Sequence, residues 1–332
     1  MGQRANLVIL QANGYELYYN HWCANTLPNE LFWGENHARS FIEAQAKVAN
    51  DDWLNEVWAE GGALMDLENR KLLFFGGEEE RYNIPYRRLF IKLMDIVWED
   101  WEIEWAEEGI ISIVEYLGLP RQIVLSDAED ELGNSPVIGS SRDLVWSDIV
   151  SSITFGDGET VIFPLQGGIE EYLFHGPNIL SQFKRSFGYP DLCIEERGEE
   201  FPVAGFHVNS LSKELHFWRA DPAASPIHKL KDIWAGWQVF DYGDQYELHS
   251  KNTLGRLHFP KGDYSESVQN IQTVLLKSPV DPLIGLSSLI NKLRQEDNDV
   301  QVSEYALMHA SVVMDKDAKV AILHHAISAL KL

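Results

Sequence analysis

The chain has 332 residues, with 51 Asp and Glu against 27 Lys and Arg, and a formal net charge of −24. Phosphate backbones and anionic lipid repel such a polyanion. Nucleic acid and membrane surfaces are therefore excluded as expected partners, and the short basic run Tyr86-Arg87-Arg88 does not reverse this. The 45% hydrophobic content is that of a globular protein, and two cysteines cannot make a disulfide framework.

The first apolar stretch, residues 7–10, is too short for a signal-peptide core. Asn6 stands where a myristoylation motif after Gly2 needs Ser or Thr. No apolar run approaches the ~20 residues that cross a bilayer, so a cytoplasmic location is expected. Residues 7–10 and 16–19 read as strands around Asn13-Gly14, a hairpin turn pair. A helix is predicted over 37–49, and Asp51-Asp52 predicts the cap of a second, short helix bearing Trp53 and Trp58. A hairpin turned at Asp66 follows, with Leu72 and Phe74 alternating on its return strand.

Pro85 suits the first turn of a helix running to Val97, with Leu89, Phe90, Leu93 and Met94 on one face. Residues 101–105 alternate apolar and acidic side chains, as a strand with one wet face does. Residues 109–117 predict a short helix ended by Gly118 and Pro120. The polar mixture over 126–142 reads as a linker, and its Asp127, Asp130 and Glu131 lack the alternate spacing of a calcium loop. From Val145 the order strand, strand, helix, hairpin, helix, strand is repeated, with Asp157-Gly158 as the first turn. A tail of helix (286–294), hairpin and final helix (324–330) closes the chain. The expected organisation is a first unit over 1–125, a linker over 126–142, and a second unit over 143–332 that carries the tail as an extension.

Self-similarity is the strongest signal. Residues 62–75 align without a gap on 205–218. Asp66 and Asn209 start the turn, Arg70 and Lys213 follow it, and Leu72/Phe74 and Leu215/Phe217 alternate on the return. Further on, Trp98/Trp101 matches Trp234/Trp237, and Leu117-Gly118 matches Leu254-Gly255. Upstream, residues 14–21 rhyme more weakly with 168–175, and Pro28-Asn29 with Pro177-Asn178. Residues 314–323 suggest a partial third copy. The expected fold is α+β, with internally duplicated β-hairpin/helix units forming mainly antiparallel sheets with helices packed on them.

Catalytic and cofactor motifs are missing. Gly156-Asp157-Gly158 is a lone turn rather than a phosphate loop, and His324-His325 are adjacent rather than one helical turn apart. Met1-Gly2-Gln3 offers no N-terminal nucleophile. Cys23 beside His21 is a conceivable nucleophile with no orienting third group. No cofactor and no metal are therefore expected. The eleven tryptophans are unusual. Packing explains most of them, but Trp98, Trp101, Glu102, Glu104 and Trp105 combine aromatic and acidic side chains. That combination suits a cationic partner.

Tyr15-Glu16-Leu17-Tyr18-Tyr19-Asn20-His21-Trp22, Leu31-Phe32-Trp33-Gly34, Glu60-Gly61-Gly62-Ala63 and Leu73-Phe74-Phe75-Gly76-Gly77 resemble a group of uncharacterised bacterial proteins. The resemblance covers about the first third of the chain and implies no activity. Two functions are thus expected. One is an acidic intracellular protein, immunity-like or regulatory, that binds a basic protein through the aromatic, carboxylate-rimmed segment. The other is a hydrolase-like enzyme with a site at the seam of the two units, where Glu16, His21, Glu170 and His175 would meet.

Overall fold

The computed structural model describes residues 3–126, 138–141, 144, 146–195, 201–221, 229–260, 264–278, 281–296, 300–308 and 310–330. The chain divides into two compact units. The first comprises Met1–Arg81, Pro85–Ser126 and Asp263–Leu332, and the second Tyr82–Ile84 and Asp127–Gly262. The tail from Asp263 therefore belongs with the first unit, not with the second as its place in the sequence suggests. Nearly all of the expected linker lies outside the described residues.

In the first unit, β1 (Ala5–Gln11) and β2 (Gly14–Asn20) form a hairpin whose turn uses Gly14 at φ 121°. Then come α1 (Leu27–Leu31), α2 (Glu35–Glu43) and the short strand β3 (Ala46–Val48), which pairs with β2. The helix predicted over 37–49 thus stops early. Gln45 turns inward, donates to Phe41 O at 2.7 Å and accepts from Asn20 Nδ2 at 2.7 Å. No helix follows Asp51-Asp52. There the backbone bonds outward instead, with Leu54 N donating to Asn6 Oδ1 at 2.7 Å.

β4 (Gly61–Asp66) and β5 (Lys71–Phe75) form the second hairpin, followed by α3 (Glu79–Tyr82), α4 (Ile84–Val97), β6 (Glu102–Trp105) and α5 (Ile110–Tyr116). The six strands run in the order β3-β2-β1-β4-β5-β6. Both hairpins are antiparallel, but β1 pairs with β4, and β5 with β6, in parallel. Three of the five pairings are antiparallel, and the two parallel pairs join one hairpin to the other and β5 to β6, so the sheet is mixed.

In the second unit, β7 (Ile149–Thr154) and β8 (Thr160–Leu165) form a hairpin, followed by α6 (Glu170–Leu173) and the short β9 (Leu192–Cys193). β10 (Ala204–Asn209) and β11 (Glu214–Arg219) form the next hairpin, followed by α7 (Leu230–Ile233), β12 (Gln238–Asp241), α8 (Glu247–Asn252) and β13 (Leu257–His258), which pairs with β9. The main sheet is ordered β12-β11-β10-β7-β8. Its parallel joints, β7 with β10 and β11 with β12, match those of the first sheet.

The aligned positions coincide in detail. Asp66 Oδ1 accepts from the backbone of Glu68 and Asn69, and Asn209 Oδ1 accepts from Leu211 and Ser212. Arg70 and Lys213 close these turns with φ of 52° and 55°. A Cβ on Gly62 would stand 2.6 Å from the Phe75 ring, and one on Gly205 would stand 2.5 Å from the Trp218 ring, so each glycine leaves a slot for an aromatic across the hairpin. The weak upstream match is different. The turn equivalent to Gly14 is Gly158, and residues 168–175 fall on and around helix α6, not on a strand.

The tail adds α9 (Tyr264–Leu276), α10 (Pro282–Gln295), α11 (Glu304–Leu307) and α12 (Lys316–Ala329). No third hairpin forms around Asp315. Its side chain accepts from Asp317 N and Ala318 N and caps α12. Leu323 and Ala326, spaced for a helix, are buried in the first unit's core together with Ile271 and Leu275 of α9. Among the described residues, no helix is long and apolar enough to cross a membrane.

Candidate functional site

β6 ends the six-stranded sheet and, among the described residues, has a strand neighbour on one side only. The aromatic–acidic segment singled out in the sequence lies on and just before this edge, and its members serve different ends. Trp98 is core: it is buried, and its Nε1 donates to Leu31 O at 3.0 Å. Trp101 stands edge-on to Trp98 with centroids 5.0 Å apart and donates to Glu35 Oε2 at 3.1 Å. Trp105 is half-buried, and the Arg87 guanidinium sits 4.4 Å over its ring.

Glu102 and Glu104 share one face of β6 and bracket Lys71 of β5, with Nζ contacts of 3.5 and 2.7 Å. Burial pushes the Lys71 ammonium down, but Glu104 and Glu102 hold it above its ordinary value. Burial likewise pushes the Glu104 carboxyl up, and the Lys71 hydrogen bond carries it below its ordinary value. Asp66, on the same patch, accepts from Asn69 and from Tyr116 Oη at 2.9 Å. Exposed Glu99 and Asp100 precede the strand, and Asp100 pairs with Arg70 at 3.3 Å. Arg70 pairs with Asp100 and Lys71 with Glu102 and Glu104, and with Asp66 and exposed Glu99 nearby in the chain, the carboxylates outnumber Arg70, Lys71 and Arg87 at this edge.

The four residues of the expected seam site do not occupy matching positions. Glu16 lies on β2 and accepts from Lys47 Nζ at 2.6 Å and Tyr18 Oη at 2.7 Å, which hold its carboxyl below the ordinary value. His21 follows β2, with Tyr19 Oη 2.8 Å from its Nδ1. Glu170 opens α6 and His175 precedes a 3-10 turn, so neither sits on a strand. Cys23 is buried, and burial pushes its thiol far up, away from the thiolate a nucleophile needs.

A second cluster was missed. In the second unit, Ser152 of β7, His207 of β10, Trp218 of β11 and His249 of α8 are all buried on one face of the sheet. Ser152 Oγ lies 2.7 Å from His207 Nδ1 and 2.8 Å from His249 Nε2. Trp218 Nε1, which can only donate, points at His249 Nδ1 at 3.1 Å. That fixes the relay. His249 Nδ1 accepts, so its proton sits on Nε2 and is donated to Ser152 Oγ, and Ser152 donates to His207 Nδ1. Both imidazoles are neutral. Burial, with His216 adding to it, drives His207 down to about 3. Burial, then His207 and His216, drives His249 well below its ordinary value.

Beside them, Tyr242 Oη donates to His216 Nδ1 at 2.6 Å and accepts from Asn252 Nδ2 at 3.2 Å, and His216 stacks on Phe240 at 4.6 Å. The signal was present in the alignment, because residues 62–75 pair Leu64 with His207 and Leu73 with His216. Chemically, the cluster is a closed neutral relay. Ser152 has no exposed surface, and among the described residues no carboxylate orients either of the imidazoles bonded to it, unlike the arrangement that activates a serine. Among the described residues, no group of His, Cys, Asp and Glu is arranged to hold a metal ion. No protein-family model, no curated protein and no solved structure matches the chain.

Proposed function

We propose that this is a non-enzymatic binding protein of the immunity-like or regulatory kind, acting inside the cell, which takes a basic segment of a protein partner along the β6 edge. The observation that carries the reading is the position of Glu102 and Glu104 on an edge strand, with half-buried Trp101 and Trp105 beside them. Unpaired backbone on a sheet edge accepts an added strand. The local carboxylates favour a cationic one, and the net charge of −24 steers it in.

The test is titration of the full chain with an Arg-rich peptide at rising salt, comparing wild type with Glu102→Lys/Glu104→Lys and with a control pair, Glu171→Lys/Glu43→Lys, of equal charge change. The expected result is at least a tenfold loss of affinity for the edge variant alone, with binding that weakens as salt rises. Equal losses in both variants would mean attraction to bulk charge and would remove the edge as a site. The competing enzyme reading would have to draw on Ser152 and its histidines, whose burial and lack of a carboxylate count against it.

A further inference from the structure

Helix α10 runs for 14 residues, is capped at its start by Asp281, and contains no buried residue. None of its side chains belongs to a hydrophobic core or packs against one, among the described residues. Even so, it carries Leu283, Ile284, Leu286, Leu289, Ile290 and Leu293, with Ile284 66% and Leu289 37% exposed. A helix this short, interrupted by Gly285, Ser287 and Ser288, is marginal in water unless an apolar face is covered.

Four of these residues, Leu283, Leu286, Ile290 and Leu293, are half-buried and follow the three-four-three spacing of a helix-pairing seam. The seam is also palindromic about the level of Ser288. Turned end for end, Leu283 meets Leu293 and Leu286 meets Ile290. Charge points the same way: within residues 281–296, Asp281 and Glu296 balance Lys292 and Arg294, whereas the chain as a whole carries −24. Two copies therefore meet here on a segment without net charge, and antiparallel pairing brings the Asp281 end of one helix to the Lys292–Arg294 end of the other.

We infer that α10 is the contact between two copies of this chain, which pair antiparallel through the seam of Leu283, Leu286, Ile290 and Leu293. A helix of this length is about 21 Å long, so the pair covers less than the ~1,200 Å² of a standard interface and dissociates readily.

Sedimentation equilibrium of the full chain from ~1 to ~300 µM spans that weak range. The expected mass rises from that of one chain, 37.9 kDa, towards twice that value. Leu286→Lys and Ile290→Glu, each outside the cores, are expected to sediment as single chains with unchanged thermal unfolding. An equimolar mixture of the two variants is expected to recover a dimer, because antiparallel pairing sets the introduced lysine of one copy against the introduced glutamate of the other. Three outcomes overturn the inference: wild type that stays a single chain at the highest concentration, single variants that still dimerise, or a mixture that does not recover the dimer.

Discussion

The two sheets present matching faces to chemically opposite neighbours. In the first unit, Val8, Leu64, Leu73 and Phe75 cluster with Ile110, Ile113 and Val114 of α5, and buried Asn6 and Asp66 stand only at the margins of this apolar face. The corresponding positions in the second sheet are Ser152, His207, His216 and Trp218, with His249 brought in by α8. Five strands of each sheet follow the same order with the same parallel joints, so this shared topology does not dictate which chemistry fills the face. A buried polar face holds only if each donor finds an acceptor, since an unpaired buried group costs about 1–3 kcal/mol. The relay meets that condition from Trp218 Nε1 as far as His207 Nδ1.

The comparison breaks most directly at the shared tryptophans. Trp98 donates to Leu31 O and Trp234 to Leu173 O, at 3.0 and 2.7 Å, and both are buried. Trp98→Ala and Trp234→Ala are each expected to destabilise their own unit by about 3–5 kcal/mol, read by urea unfolding with amide exchange resolved by unit. A much smaller cost in one unit would end the equivalence.

Moving the polar chemistry across is the next largest effect. Leu64→His puts a lone imidazole into the apolar face and is expected to cost about 3 kcal/mol. Ser152→Ala leaves both His207 Nδ1 and the His249 Nε2–H unpaired and is expected to cost about 2 kcal/mol. Replacing the whole relay with Ser152→Val, His207→Leu, Trp218→Phe and His249→Ile should cost less than the single Ser152→Ala change. A roughly additive loss in chemical denaturation would show that the relay is not a unit.

Between pH 7 and 5, acid should shift each unit's stability by about 2 kcal/mol, in opposite directions. His207 falls from 6.5 unfolded to about 3 folded. The unfolded chain therefore binds more protons, and the second unit's stability, full above 6.5, declines as pH drops towards 3. His249 adds a change of the same sign. In the first unit, burial and then Glu79 raise Glu80 from 4.5 to about 7, against its own backbone hydrogen bond and Arg87. Its contribution is full below 4.5 and fades as pH rises through 7. Unit-resolved amide exchange should show the second unit opening first at pH 5. Parallel loss in both would contradict this. The smallest effect belongs to Glu102→Gln, an exposed ion-pair partner of Lys71, with a stability change within about 0.5 kcal/mol by thermal unfolding.

Hairpins were the most legible elements. Asn13-Gly14, Asp66 and Asp157-Gly158 fall at turns, and the strands alternate around them. Parallel joints left no trace, because pairing between distant strands depends on register rather than on local residues. Asp315 shows how local evidence can mislead. An Asp accepting from the second and third residues onward serves a hairpin turn at Asp66 and a helix cap at Asp315 equally well. The apolar spacing further along decides between them.

The sequence by itself determined the α+β class, the aligned hairpins and the tryptophan pairs, because turn chemistry and side-chain periodicity act over a few residues. Only the tertiary structure decided that the tail joins the first unit, that β6 is an edge, and that Ser152, His207, Trp218 and His249 meet. Those facts rest on contacts between segments up to hundreds of residues apart. Which of them form is set by which buried surfaces and hydrogen bonds satisfy one another at once, and no local pattern encodes that.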